Sequence, residues 1–268
     1  MTLEIGIILP TSTPDPAKPI LGDVRAAARL AEASGLDSVW STDHLVASAP
    51  ILDSTVVLAT AAAATDRIRI GYGVMLLALR PVAWAAKQIA TLQYVSGDRL
   101  ILGVGTGNPA HGDVGWRAAG ASFAERGRRT DEALSLLPDL VAGRPVVLPD
   151  GTEVALAPGA TMPPVLVAGD AERARRRAAA YAEGWVAIGL EPSEIGAHVA
   201  ELSALAAEYG RPPLTVTVVA PPLATDPGQA AEQLSAYAEA GAARVVLALP
   251  GPEWQAGYEF AAKIKEQL

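Results

Sequence analysis

The chain holds three histidines and no cysteine, so proton chemistry at neutral pH rests on few groups. His44 closes the triplet Thr42-Asp43-His44, directly after a short apolar run at residues 37–41. An imidazole near its intrinsic pKa can give or take a proton. Asp43 beside it either orients the ring or only fastens the loop. His111 falls in a polar loop, residues 109–122, where solvation is expected and substrate contact is the alternative. His198 falls in the middle of a helical pattern and reads as a surface residue.

Two glycine-rich stretches are the second chemical signal, Gly71-Tyr-Gly73 and Gly103-Val-Gly105-Thr-Gly107. Each could be a tight turn, or bare main chain that a ligand approaches closely. On neighbouring strands of an α/β protein the pair favours a ligand site. Gly169-Asp170 precedes a helix, where backbone N–H groups could meet a phosphate or Asp170 could serve as the N-cap. The carboxylate would repel an anion beside it, so both readings stand. Without cysteine, and with a single strand-end histidine, no metal site is expected. No Gly-x-Ser-x-Gly elbow occurs, which argues against a serine hydrolase. The basic run Arg175-Arg176-Arg177 reads as a solvated helix face, with support of an anionic ligand as the alternative.

The elements that must position these groups alternate along the whole chain. Apolar runs at residues 3–9, 37–41, 68–77, 100–104, 165–168, 185–188, 214–219 and 243–249 read as strands. Helical stripes at 21–34, 55–64, 82–95, 123–142, 171–183, 192–209, 227–240 and 252–268 separate them. Residues 146–156 read as a hairpin excursion turning on Pro149-Asp150-Gly151. Eight β-α units predict a single-domain α/β (β/α)8 TIM barrel over residues 1–268. An open doubly wound sheet fits less well, because Pro10 to Pro14 after the first strand contain no glycine fingerprint. In a barrel the site is built from the loops after the strands. Those loops contribute Pro10 and Thr11; Thr42, Asp43 and His44; Tyr72 to Met75; Thr106, Gly107 and Asn108; Gly169 and Asp170; and residues 189–191, 220–222 and 250–252.

Half of the 268 residues are hydrophobic, enough for a full core, and the net charge of −8 with pI near 5.0 argues against a nucleic-acid surface. The N-terminus lacks a basic region and a signal-length apolar run, and no run reaches membrane-spanning length, so a cytoplasmic protein is expected. Scarce lysine beside abundant arginine and alanine matches GC-rich bacterial coding.

Several blocks resemble the bacterial luciferase-like family, which includes the coenzyme F420-dependent oxidoreductases. They are Leu36-Asp-Ser-Val-Trp-Ser-Thr-Asp-His44, Arg67-Ile-Arg-Ile-Gly-Tyr-Gly-Val74, Arg80-Pro-Val with Ala86-Lys-Gln-Ile-Ala-Thr-Leu92, and Ser96-Gly-Asp-Arg-Leu-Ile-Leu-Gly-Val-Gly-Thr-Gly107. Arg126-Gly-Arg-Arg-Thr-Asp-Glu-Ala133, Pro163-Pro-Val-Leu-Val-Ala-Gly169 and Ala178-Ala-Ala-Tyr-Ala-Glu-Gly-Trp185 extend the resemblance over the first two thirds. It implies a barrel binding F420 or FMN at the strand ends, with a non-prolyl cis peptide behind the ring at Gly73-Val74. It further implies that Asp43 and His44 lie at the reactive edge, that Thr106, Gly107 and Asn108 touch the polar rim or ribityl chain, and that Ala168 and Gly169 lie near the phosphate. In the sugar-phosphate dehydrogenases of that group a Trp follows the His and a Glu follows Thr-Gly. Here Ser48 and Asn108 stand at those places, so that activity is not expected and His44 is left as the proton-handling group.

Three functions follow from the resemblance: an F420-dependent oxidoreductase moving hydride between deazaflavin and a small organic substrate, an FMN-dependent monooxygenase, and a non-catalytic flavin-binding protein. The first is preferred over the second. Residues 45–52 and 109–122 would line the entrance, and with Trp116 and Phe123 they point to an apolar substrate, aromatic ones included. A second copy of the chain, in a homodimer, is the one macromolecular partner left open.

Overall fold

The computed structural model describes residues 2–12, 22–249 and 253–268. Ten strands are described: β1 Glu4–Ile8, β2 Ser38–Ser41, β3 Arg69–Met75, β4 Leu100–Val104, β5 Val146–Val147, β6 Glu153–Val154, β7 Val165–Ala168, β8 Gly184–Ile188, β9 Thr215–Val219 and β10 Arg244–Leu247. All but β5 and β6 close into an eight-stranded parallel barrel, with β1 joined to both β2 and β10. The helices between them are α1 Val24–Ala33, α2 Ser54–Ala64, α3 Val82–Ser96, α4 Val114–Ala118, α5 Arg126–Val141, α6 Glu172–Tyr181, α7 Pro192–Glu208, α8 Pro227–Glu239 and α9 Trp254–Lys265. The fold is the expected (β/α)8 barrel, and β5 and β6 form the expected hairpin off it.

Local chemistry explains the punctuation. Asp23, Asp53 and Asp226 cap α1, α2 and α8, each carboxylate accepting backbone N–H bonds of the first turn. Gly97 ends α3 in the left-handed region at φ 65°, where a side chain would be strained. Successive strand residues face opposite sides. One set, including Ile5, Ile7, Val39, Ile70 and Leu102, packs with the helices in the main core. The other places Trp40, Ile101, Leu166, Val186 and Val246, one each from five strands, in a smaller cluster. At the amino end of the strands Arg244 is buried, pairing with Glu4 and donating to Thr217 at 3.2 Å.

The boundaries differ in three places. The third strand stops at Met75 and a 3₁₀ turn, Leu77–Leu79, follows, because β3 bulges against β4 between Tyr72 and Met75. The loop at 109–122 is not unstructured: it contains a 3₁₀ turn, Pro109–His111, and helix α4. The long helix begins at Arg126 rather than at residue 123, since Phe123 is drawn against Trp116 of α4, ring centroids 5.8 Å apart. The expected helix starts at residues 21 and 252 and the loop at 250–252 lie outside the described residues.

Candidate active site at the carboxyl end of the barrel

Two loops define the mouth. Leu52 N donates to Thr11 O at 3.1 Å and Ser12 bridges Ile51, stitching the loop after β1 to the loop after β2. Asp43 in the second loop is 3% exposed. One carboxylate oxygen accepts from Ser54 Oγ at 2.9 Å and from Arg80 Nη2 at 3.0 Å. The other accepts from the Leu76 amide at 2.8 Å and from Arg80 Nη1 at 2.9 Å. Asp43 therefore ties the end of β2 to α2 and to the turn after β3. It is absent from the cavity lining, and its carboxylate is engaged by Ser54, Leu76 and Arg80.

His44 is free of that network and faces the mouth. Its ring meets His111 edge-on, centroids 4.8 Å apart at 61°. Burial is the main cause holding the His44 pKa below its usual value; the neighbouring imidazole adds to it, and Asp43 opposes it weakly. His111 remains exposed, yet it is not simply solvated, because the chain turns it back onto His44. Asn108 makes that turn. Its Oδ1 accepts from Ala110 N at 3.0 Å and its carbonyl accepts from His111 N at 3.1 Å. The Asn108 side chain thus caps the turn that presents His111.

The glycines serve packing more than bareness. A Cβ on Gly71 would lie 2.4 Å from Trp40 Cε3, and one on Gly6 would lie 2.6 Å from Trp40 Nε1. These positions make room for the indole in the barrel interior, not for a ligand. A Cβ on Gly103 would lie 2.1 Å from Tyr72 O in the bulged β3 backbone, and one on Gly105 would lie 2.4 Å from Val74 Cγ2. The Gly73-Val74 peptide is cis and non-prolyl, as the resemblance implies. Gly107, at φ 84°, lies under Trp116. Gly73, Val74, Thr106, Ala168 and Gly169 are all partly exposed at the strand ends. Ile188 beyond them is 51% exposed, which leaves the mouth open with an apolar rim.

Gly169, at φ 122°, accepts from Trp185 Nε1 at 2.8 Å. Asp170 does not cap α6; Ala171 occupies the N-cap and offers no side-chain bond. Burial raises the Asp170 pKa. His198 is half-buried rather than on the surface, edge-on to Trp185 at 5.5 Å and 3.5 Å from the Glu201 carboxylate. The three arginines at 175–177 pair with Glu201, Glu172 and Asp131 respectively, the ion pairs of a helix face.

A half-open cavity of about 580 Å³ occupies the mouth, bounded by Ile8, Pro10, Thr42, His44, Ile51, His111 and Trp254 among others. That volume is in the range of small-molecule and cofactor sites. Among the described residues, no Asp, Glu, Lys or Arg lines it. A narrow cleft continues from His44 and His111 to Gly107, Asn108 and Trp116. Of the expected cofactor contacts, His44 lines the cavity and Gly107 and Asn108 line the cleft, whereas Gly73, Val74, Thr106, Ala168 and Gly169 line neither. An open cavity with largely apolar walls and an imidazole at its side suits a flat conjugated ring system. No group of histidines, aspartates or glutamates capable of holding a metal exists among the described residues. The residue that sequence reasoning undervalued is Arg80. Its signals were the Arg80-Pro-Val block and a charge set shortly after an apolar run and before Pro81.

The architecture is that of an α/β barrel with a cavity at the carboxyl face of the strands. The chain belongs to the luciferase-like monooxygenase family, which matches residues 3–264. It is 30% identical over 211 residues to 5,10-methylenetetrahydromethanopterin reductase of Methanolobus tindarius, covering 76% of this chain and 61% of that protein. The chain spans about three fifths of the length of the curated relatives it matches, 57% and 61% in two cases. An F420-dependent secondary alcohol dehydrogenase solved with an F420-acetone adduct superposes with TM-score 0.84 at 18% identity, over 100% of this chain and 98% of that one. The oxygenating constituent of 3,6-diketocamphane monooxygenase from Pseudomonas putida, in complex with FMN, superposes with TM-score 0.83 at 17% identity, over 100% and 98%. At such identity these two likenesses show the fold alone. No described helix is long and apolar enough to cross a membrane.

Proposed function

We propose that this chain is an F420-dependent oxidoreductase acting on an uncharged, largely apolar alcohol or carbonyl compound. The observation that carries the reading is His44 at the wall of an open cavity into whose lining the described residues put no charged side chain. A charged substrate entering it would lose hydration without gaining a counter-ion. When bound, the deazaflavin would supply hydride transfer at its ring carbon. The chain's own tasks are positional and acid–base. Gly73, Val74, Thr106, Gly107, Asn108, Ala168 and Gly169 would hold the cofactor along the strand ends. Asp43 would hold the His44 loop in register through Ser54, Leu76 and Arg80. His44 would take the proton of a substrate hydroxyl, or return it to a carbonyl oxygen. Its lowered pKa keeps it neutral and ready to accept at pH 7.

FMN in the same cavity is the second reading, favoured by the monooxygenases within the family. Titration of the purified protein with F420 and with FMN, followed by cofactor fluorescence, separates the two. Micromolar binding of F420 with weaker FMN binding supports the first. Failure of both overturns both. Oxygen consumption with reduced FMN supports the second.

The same reading includes a homodimer. Helix α2 carries no charged side chain, and its exposed residues Val56, Ala59 and Ala63 are apolar. A helix without a charged face belongs against a partner. The neighbouring α3 exposes Trp84 and Tyr94, at 65% and 73%, and Val95. These two helices would form the contact between copies.

A further inference from the structure

We infer that His44 and His111 form a two-imidazole proton relay, His44 exchanging a proton with the substrate oxygen and His111 passing it to and from solvent. The inference deepens the proposed reaction by assigning a role to a residue that the resemblance left without one. It stands on three observations. The rings touch edge-on at 4.8 Å, and both line the cavity and the adjoining cleft. His44 is half-buried whereas His111 is exposed, so the pair spans the path from cavity to water. And the 3₁₀ turn that carries His111 is built for presentation: Asn108 caps it from within, and Gly107 and Gly112 flank it at φ 84° and 69°.

Among the described residues lining the cavity and the cleft, His111 is the proton partner left to His44. Asp43 is consumed by Arg80, Ser54 and the Leu76 amide. Tyr258 lines the cavity but donates its hydroxyl to Ile8 O at 3.1 Å. The cleft beside the pair, formed in part by Leu76, Leu79, Gly115 and Trp116, contains no other titratable group among the described residues. Two imidazolium ions this close repel one another, so the pair favours a single proton. In the oxidising direction a bound deazaflavin would supply the acceptor for the hydride of the substrate C–H bond, and the hydroxyl proton would go to a ring nitrogen of His44. His44 passes it to a ring nitrogen of His111, which releases it to water, and both rings end neutral. Carbonyl reduction runs the same path backwards.

The test begins with ¹⁵N-histidine NMR titrations of the protein without cofactor. His111→Gln is expected to raise the midpoint of His44 towards that of a free imidazole, because the neighbouring charge is gone. Unchanged His44 titration in that variant overturns the relay. In turnover with F420 and a secondary alcohol, His111→Gln is expected to lower kcat by about tenfold or more with KM little changed, and added imidazole should restore part of it. Unchanged kcat also overturns it. Asn108→Ala, which leaves both imidazoles in place but frees the turn, should show a weaker form of the same loss. Coupled titrations together with failure to bind either F420 or FMN would overturn the oxidoreductase reading and leave the imidazole pair standing.

Discussion

Arg80 grips both carboxylate oxygens of Asp43, at 2.9 and 3.0 Å, across the gap between the loop after β2 and the turn after β3. Asp43 is buried and Arg80 nearly so, with 19% of its side chain exposed. The pair fixes the backbone on both sides of the cavity without lining it. Arg80→Ala would strand a buried carboxylate. We expect a loss of about 3 kcal/mol, read as a fall of roughly 6–12 °C in Tm. Unchanged melting would show that Ser54 and the Leu76 amide suffice to hold Asp43.

Gly71 and Trp40 form a second coupled pair. Adding a methyl at Gly71 drives it to 2.4 Å from the indole, with Trp40 only 2% exposed. Gly71→Ala is expected to cost about 1–3 kcal/mol. Trp40→Phe in the same chain should relieve part of that cost, giving a coupling of at least about 0.5 kcal/mol in a denaturation cycle. Strict additivity would mean that the glycine is needed for some other reason.

His44 ties stability to pH. Burial, with His111 adding, depresses its folded pKa below the unfolded 6.5. The folded protein therefore binds fewer protons than the unfolded one around that pH. The contribution of neutral His44 is complete above 6.5 and is lost as pH falls through the folded value. His44→Gln should flatten the fall in Tm between pH 7 and 5. Its kcat should drop by roughly 10²–10⁴-fold with cofactor affinity preserved, measured by stopped-flow and fluorescence titration.

Glu32 works in the same sense at lower pH. Burial tends to raise its pKa, but the amides of Ile68, Arg67 and Asp66 outweigh it and hold the carboxyl below its usual 4.5. Its stabilisation is present above 4.5 and fades as pH falls further. The Tm gap between the wild type and Glu32→Ala should narrow in that acid range.

Trp84→Glu places a charge in the first turn of α3, where Trp84 is 65% exposed. Sedimentation is expected to show the wild type as a dimer and the variant shifted towards monomer, with the far-ultraviolet circular dichroism unchanged. A monomeric wild type would remove the homodimer from the proposal.

Much of the fold was legible because it is written in local terms. The 2- and 3.6-residue periodicities, Gly97 after α3 and the Pro149-Asp150-Gly151 turn each act over a few neighbours. Loop 109–122 was misread because its order comes from contacts between short segments, Trp116 on Gly107 and Val46 beside Gly115, which no periodicity records.

The sequence by itself determined the eightfold alternation, the family blocks and the presence of His44 at a strand end, since each depends on residue type and spacing along the chain. Only the tertiary structure decided which neighbours those residues have. It turned Asp43 away to Arg80, filled the space at Gly71 with Trp40, and brought His111 from 67 positions along the chain to within 4.8 Å of His44. The reason is that a closed barrel sets side by side the ends of strands that lie far apart in sequence. A partner chosen in that way depends on register and closure, which no single stretch of chain encodes.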